Sequence, residues 1–189
     1  MSNKHLFAKN YQKTIQSIIR VDYAGEMGAV KIYSNQIKHH TQNEQLKEML
    51  DSEIIHFEFF QKLSKKFFVP QTLFLPIWSN LASLMGYITA KSSLSNAMLC
   101  TQAVETVIEK HYHEQIKQLE DILSHHNYQD IFIIDNKKEI QILLDKIKIF
   151  MQEEAEHKEK GEENSDMKYI TFTLIKAATY LAVVISQKI

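Results

Sequence analysis

The sequence predicts an all-α protein, and three observations carry that prediction. Apolar residues recur at steps of three and four along four long stretches. Only four Gly and two Pro interrupt the 189 residues. No period-two alternation runs long enough to build a sheet. The same scarcity of Gly and Pro excludes a turn-rich all-β fold. The length fits one domain, residues 1–189, able to bury a sizeable core.

The first helix is expected from about Tyr11 to His40, with Ile15, Ile18, Ile19, Ala29, Val30, Tyr33 and Ile37 on one stripe. Asp22 and Glu26 fall on that stripe, where bare carboxylates are costly unless paired. Gly25 and Gly28 bracket Glu26, although a glycine costs a helix interior about 1 kcal/mol relative to alanine. They serve either close helix packing or a site where something must approach the backbone. A second helix, from about Asn43 to Phe68, carries Leu46, Met49, Leu50, Phe57, Phe60 and Leu63, with Glu53 and His56 on the same face.

Phe67 to Ala90 holds no charged residue. Its length would suit a membrane span of ~20 residues, but Pro70, Pro76, Gly86 and interspersed polar residues break it. With Trp78 and Tyr87 as amphipathic rings, residues 67–90 read either as a membrane-interacting segment or as a short core helix. A third long helix follows, Leu94 to about Ser124, with Glu105 on its inner stripe. His125 to Asn136 reads as a connection, and Lys137 to Lys160 as a fourth long helix with Glu154 and His157 facing inward. After a charged linker, Gly161 to Asp166, a last helix runs to about Gln187. Its Tyr180–Ile185 run is apolar nearly all round, so it is either buried or pressed against a membrane.

Composition narrows the partners. A formal net charge of −1 without a basic stripe argues against nucleic acid. The single cysteine, Cys100, excludes internal disulfides and a thiolate zinc cage and suits a reducing compartment. The N-terminal residues show neither a secretory h-region nor an arginine-rich transit pattern.

The chemistry lies in a repeated pattern. Glu-x-x-His occurs as Glu53–His56 and as Glu154–His157, and positions i and i+3 share one helix face. A lone inward carboxylate, Glu26 or Glu105, lies on the helix before each pair, so the order is Glu, Glu-x-x-His, Glu, Glu-x-x-His. This is the pattern of carboxylate-bridged di-iron or di-manganese four-helix bundles. Four carboxylates balance two divalent ions, and neutral imidazoles cap each ion. Without metal the four acids would repel one another in a low-dielectric core. The plainer alternative is a metal-free bundle whose Glu/His pairs are surface ion pairs. Asp22, one turn before Glu26, either accepts a hydrogen bond from a ligating imidazole or pairs with Arg20.

Ile19-Arg20-Val21-Asp22-Tyr23-Ala24-Gly25-Glu26-Met27-Gly28-Ala29 resembles the opening signature of the demethoxyubiquinone hydroxylase family, di-iron monooxygenases of ubiquinone biosynthesis. Cys100–Glu105, followed by His111-Tyr112 and Gln115-Ile116, is similar to that family's third-helix signature, and Glu153–His157 to its fourth. Tyr23 stands where histidine is common, Gln102 and Thr106 break the usual third-helix run, and His125–Asn136 is longer than typical. None of these departures removes a ligand.

The resemblance implies a ferritin-like four-helix bundle with two additional apolar helices. It implies iron ligands at Glu26, Glu53, His56, Glu105, Glu154 and His157, and places His111 and Tyr112 near the site, for proton or electron delivery or as ordinary packing. The implied activity is that of a 3-demethoxyubiquinol 3-hydroxylase: one atom of O2 enters the ring of a 2-polyprenyl-3-methyl-6-methoxy-1,4-benzoquinol, and the other leaves as water. Two iron ions, O2 as co-substrate and an external reductant such as NADH follow, as do a membrane-embedded polyprenyl quinol, the membrane surface, ubiquinone-biosynthesis accessory proteins and a homo-oligomer as partners. The expected location is peripheral, on the cytoplasmic face of the bacterial cell membrane. A ferritin- or rubrerythrin-like iron-binding or peroxidase protein would use the same ligands, but as a soluble shell without a membrane-facing segment.

Overall fold

The computed structural model describes residues 3–124, 131–166 and 168–188 and contains six helices and no strand among them. They are α1 (Asn3–His39), α2 (Glu44–Lys66), α3 (Leu75–Ser92), α4 (Leu94–Ser124), α5 (Ile131–Glu163) and α6 (Tyr169–Lys188). The four long helices α1, α2, α4 and α5 form a ferritin-like bundle from two hairpin-like pairs, α1 with α2 and α4 with α5. α3 connects the pairs and packs mainly along α1, while α6 lies over α1 and α4.

Local chemistry sets the boundaries. Asn43 caps α2, its Oδ1 accepting from the Leu46 N–H at 2.9 Å, and Lys65 and Lys66 suit the carbonyl end of that helix. α2 closes with Phe68 in the left-handed region at φ 51°, where Phe68 N–H donates to Lys65 and Val69 N–H to Ser64. This closure usually takes glycine. Here a phenylalanine that is 90% exposed occupies it. Arg20, the sole arginine of the chain, ties the following linker to α1 by donating from Nε to the Pro70 carbonyl at 2.9 Å.

Two corrections concern the second half. The Ile131–Ile134 patch, expected within a connection, is the first turn of α5, because Phe132 and Ile133 pack on the bundle core and Phe132 faces Phe67 with ring centroids 6.3 Å apart. Residues 125–130 of that connection lie outside the described residues. Gly161, expected to open a linker, remains helical in contact with α4.

α3 is neither a plain core helix nor a clean span. Its small residues Ala82, Gly86, Thr89 and Ala90 are buried, with Leu75 at its start, whereas Ile77, Leu81, Leu84 and Ile88 are at least half exposed. α6 has a composition and length that could cross a membrane, yet it buries only Ile175, Val183 and Ser186 among its described side chains. Tyr169, Ile170, Leu174, Tyr180 and Leu181 face outward.

The glycines divide by function. A Cβ on Gly86 would come within 2.5 Å of the Ile32 carbonyl, and one on Gly161 within 2.8 Å of the Gln102 nitrogen, so both allow close helix crossings. A Cβ on Gly25 would meet nothing closer than Ile108 at 4.0 Å, and on Gly28 nothing closer than Ala82 at 3.8 Å. Close packing therefore does not require either of the glycines beside Glu26.

Candidate metal centre

On α1, α2 and α4 the inward acid falls where one apolar cluster gives way to another. Glu26 follows Ile15, Ile18 and Ile19 and precedes Ala29 and Tyr33, and Glu105 lies between Met98 and Tyr112. All six sequence-derived candidates, Glu26, Glu53, His56, Glu105, Glu154 and His157, are buried. Their donor atoms form two overlapping groups, each within 4.8 Å: Glu26–Glu53–His56–Glu154 and Glu53–Glu105–Glu154–His157. Glu53 and Glu154 belong to both. Glu26 and His56 close one end, Glu105 and His157 the other. His56 Nδ1 lies 3.0 Å from Glu154 Oε1 and 3.6 Å from Glu26 Oε2; His157 Nδ1 lies 3.1 Å from Glu53 Oε1 and 3.2 Å from Glu154 Oε2.

This donor set fits a pair of divalent ions. Both Glu53 oxygens, Glu154 Oε1 and His56 Nδ1 are buried without an aligned hydrogen bond. Each such group costs about 1–3 kcal/mol or more if nothing satisfies it. Two divalent cations would satisfy them together and neutralise four carboxylates, and the mixed carboxylate and imidazole set suits first-row metals.

In the metal-free chain, protons must meet the same crowding. Burial opposes charge on both imidazoles, but Glu154, Glu26 and Glu53 override it and raise the His56 pKa, and Glu154 and Glu53 push His157 up to about 9. Burial, then Glu154 and Glu53, raise Glu105 well above the carboxylate range. For each raised pKa the folded chain holds more protons than the unfolded one, so stability falls as pH rises between the unfolded and folded values. For His157 that window runs from 6.5 to about 9. The melting temperature of the chelator-treated chain should fall across this window in thermal denaturation, whereas the metal-loaded chain should not follow it, because the ions displace these protons.

The surrounding contacts redistribute the remaining candidates. Tyr112 Oη donates to Glu26 Oε1. Asp22 does not reach a ligating imidazole and does not pair with Arg20. Gln115 Nε2 donates to Asp22 Oδ1 at 2.7 Å and lies 2.8 Å from His111 Nε2, which sets these three residues beside the centre as one buried cluster. Burial lowers the His111 pKa to about 4 against the pull of Glu114; burial also raises Asp22, which Gln115 opposes and Glu26 reinforces. The imidazole partner is instead Glu153, whose Oε2 lies 2.5 Å from His56 Nε2. Its position depends on how α2 meets α5, so no spacing within the chain reveals it. Tyr33 was also missed as a site residue. Its Oη donates to Glu105 Oε1 at 2.8 Å, and its offset from Glu26 equals that of Tyr112 from Glu105.

An apolar chamber of about 220 Å³ lies against the helix segments that carry Glu26 and Glu105. Gly25, Gly28, Val104 and Ile108 form part of its wall, and Leu81 of α3 and Leu181 of α6 line it while half exposed. The chamber therefore opens between the two helices that turn their large apolar residues outward.

The family described as Ubiquinone biosynthesis protein COQ7 is matched over residues 13–186. The chain is 33% identical over 172 residues to the mitochondrial NADPH-dependent 3-demethoxyubiquinone 3-hydroxylase of Caenorhabditis elegans, covering 89% of this chain and 85% of the relative. It is 31% identical over 182 residues to the human protein of the same name, covering 93% and 78%. It is 30% identical over 183 residues to the 3-demethoxyubiquinol 3-hydroxylase of Rhodospirillum rubrum, again covering 93% and 78%. The match extends over both Glu-x-x-His pairs and both lone glutamates, and the chain belongs to the COQ7 family of ubiquinone biosynthesis proteins.

Proposed function

We propose that the protein is a 3-demethoxyubiquinol 3-hydroxylase, a monooxygenase of ubiquinone biosynthesis that acts through two iron ions held by Glu26, Glu53, His56, Glu105, Glu154 and His157. The observation that carries this reading is the pair of overlapping donor groups sharing Glu53 and Glu154, set against an apolar chamber, in a chain of this family. When bound, the metal pair would supply reductive activation of O2. Every other part belongs to this chain's residues. Glu53 and Glu154, which belong to both donor groups, would be shared ligands, His56 and His157 would hold the two ends, and the chamber would exclude water from the reacting ring. The chamber has room for a substituted ring and not for a polyprenyl tail, which would remain outside among the exposed residues of α3 and α6.

Proton supply needs a separate route, because the chamber wall is almost wholly apolar. The Asp22–Gln115–His111 cluster provides one. A second cavity of about 200 Å³, lined by Thr14, Ser17, Gln118 and Glu114, meets His111 and Gln115 on the side of the solvent. An external reductant completes the reaction, and the names of the animal relatives favour NADPH over the NADH expected above.

The exposed apolar sides of α3 and α6, with Phe68 and Leu73 between α2 and α3, support peripheral docking on a membrane, proposed to be the cytoplasmic face of the bacterial cell membrane. Phe68 offers the sharpest probe of docking. Phe68→Gly should stabilise the fold by about 1 kcal/mol by relieving the left-handed phenylalanine, yet weaken binding to vesicles, as read by thermal melting and co-sedimentation. Unchanged vesicle binding would remove this part of the reading.

Anaerobic loading with ferrous iron, followed by short-chain demethoxyubiquinol, O2 and a reductant, tests the activity. Two irons per chain and a product heavier by one oxygen are expected. A large soluble cage holding many irons per chain, with unaltered quinol, would favour a ferritin-like protein instead.

A further inference from the structure

The two halves of the bundle repeat more than their ligands. Glu26, Tyr33 and Gln36 on α1 match Glu105, Tyr112 and Gln115 on α4, so Glu-x6-Tyr-x2-Gln occurs twice. All six side chains are at least 95% buried. Seven residues are close to two helical turns, which keeps each tyrosine on the face of its own helix's glutamate. Neither tyrosine bonds that glutamate. Tyr33 donates to Glu105 across the bundle and Tyr112 donates to Glu26, so the two hydroxyls exchange partners between halves. The repeat breaks one step further out. Gln115 donates to Asp22, whereas Gln36 donates to the Ala97 carbonyl, and the positions of Gly25 and Gly28 are taken on α4 by Val104 and Val107.

We infer that Tyr33 is a positioning residue for the metal at the Glu105–His157 end, as Tyr112 is for the Glu26–His56 end. By donating to Glu105 Oε1, the Tyr33 hydroxyl takes one lone pair of that oxygen and fixes the direction in which the carboxylate presents its remaining ones. Tyr33 also meets the His157 ring edge-on, with centroids 6.2 Å apart, so one side chain orients both ligands that belong to this end alone. The inference rests on the metal-binding reading given above. Such outer partners of ligands are typically worth 10–100-fold in metal affinity.

Stepwise titration of the metal-free full chain with Co(II), followed by the visible spectrum of the bound ion, tests this. Tyr33→Phe keeps the ring and removes only the hydroxyl. It should lower the affinity for one of the two ions about tenfold or more and leave the other unchanged, while Tyr112→Phe lowers the other. The loss should persist in a His56→Ala background and vanish in His157→Ala, where the affected end is already broken. If the alanine variants do not fold, the two tyrosine variants still decide, since a shared affected step contradicts separate ends. Unchanged constants in Tyr33→Phe, or a loss that survives in His157→Ala, would overturn the inference while leaving the metal centre intact. A wild-type chain that takes up no Co(II) would overturn both readings.

Discussion

Glu154→Ala should cost the protein both metal ions and lower hydroxylation at least about 100-fold, since even the outer partners of ligands carry 10–100-fold in metal affinity or activity. Glu105→Ala, by contrast, should release one ion. The difference follows from membership: Glu154 belongs to both donor groups, Glu105 to one. Metal analysis after anaerobic loading separates the two outcomes. The same centre should make the metal-free protein less stable than it could be. Glu105 is buried beside Glu53 and Glu154 and keeps its proton well above the ordinary range. Glu105→Gln removes the cost of keeping that acid protonated and should stabilise the metal-free chain by about 1 kcal/mol, a shift of about 2–4 °C in Tm for a chain of this size. A ligand set tuned for metal at the expense of stability predicts both results together.

Gly28→Val should leave two ions bound and lower kcat/KM for the quinol by at least about tenfold. A new Cβ at Gly28 clears its nearest neighbour, Ala82, by 3.8 Å, so the fold tolerates it, while the branched methyl groups enter the chamber wall. A misfit of one or two methyl groups in an apolar pocket is worth about 1–3 kcal/mol, or 10–200-fold. Gly25→Val should act in the same direction through Ile108. Equal loss of iron and turnover in both variants would return these glycines to a packing role. Gly86 and Gly161 are the contrast, since backbone atoms lie within 3 Å of any Cβ placed there.

The six ligand candidates were legible because two simple rules coincide at each of them. A carboxylate on an apolar helical stripe is costly, and Glu-x-x-His places two ligand types on one face. Spacing along one helix carries no information about partners on another. It therefore left open which glutamates are shared, and it offered Asp22 either an imidazole contact or a pairing with Arg20, whereas Glu153 makes the imidazole contact and Asp22 accepts from Gln115. Tyr33 was within reach, since its offset from Glu26 repeats that of Tyr112 from Glu105. The early start of α5 was hidden because Ile131–Ile134 reads equally well as a short apolar patch or a helix turn; contact with the bundle core decides it. The 67–90 segment was ambiguous for a related reason. Overall apolarity does not say which side of α3 faces inward, and beyond Leu75 its fully buried residues are all small.

Single turnover with 18O2 tests the central claim most directly. The chain is loaded anaerobically with ferrous iron, mixed with a soluble short-chain demethoxyubiquinol and exposed to labelled dioxygen, and the quinol product is weighed. The account predicts one 18O atom in the ring hydroxyl, lost in Glu154→Ala and strongly reduced in Gly28→Val. Unlabelled quinol, with the iron oxidised and the oxygen recovered as peroxide or water alone, would contradict it.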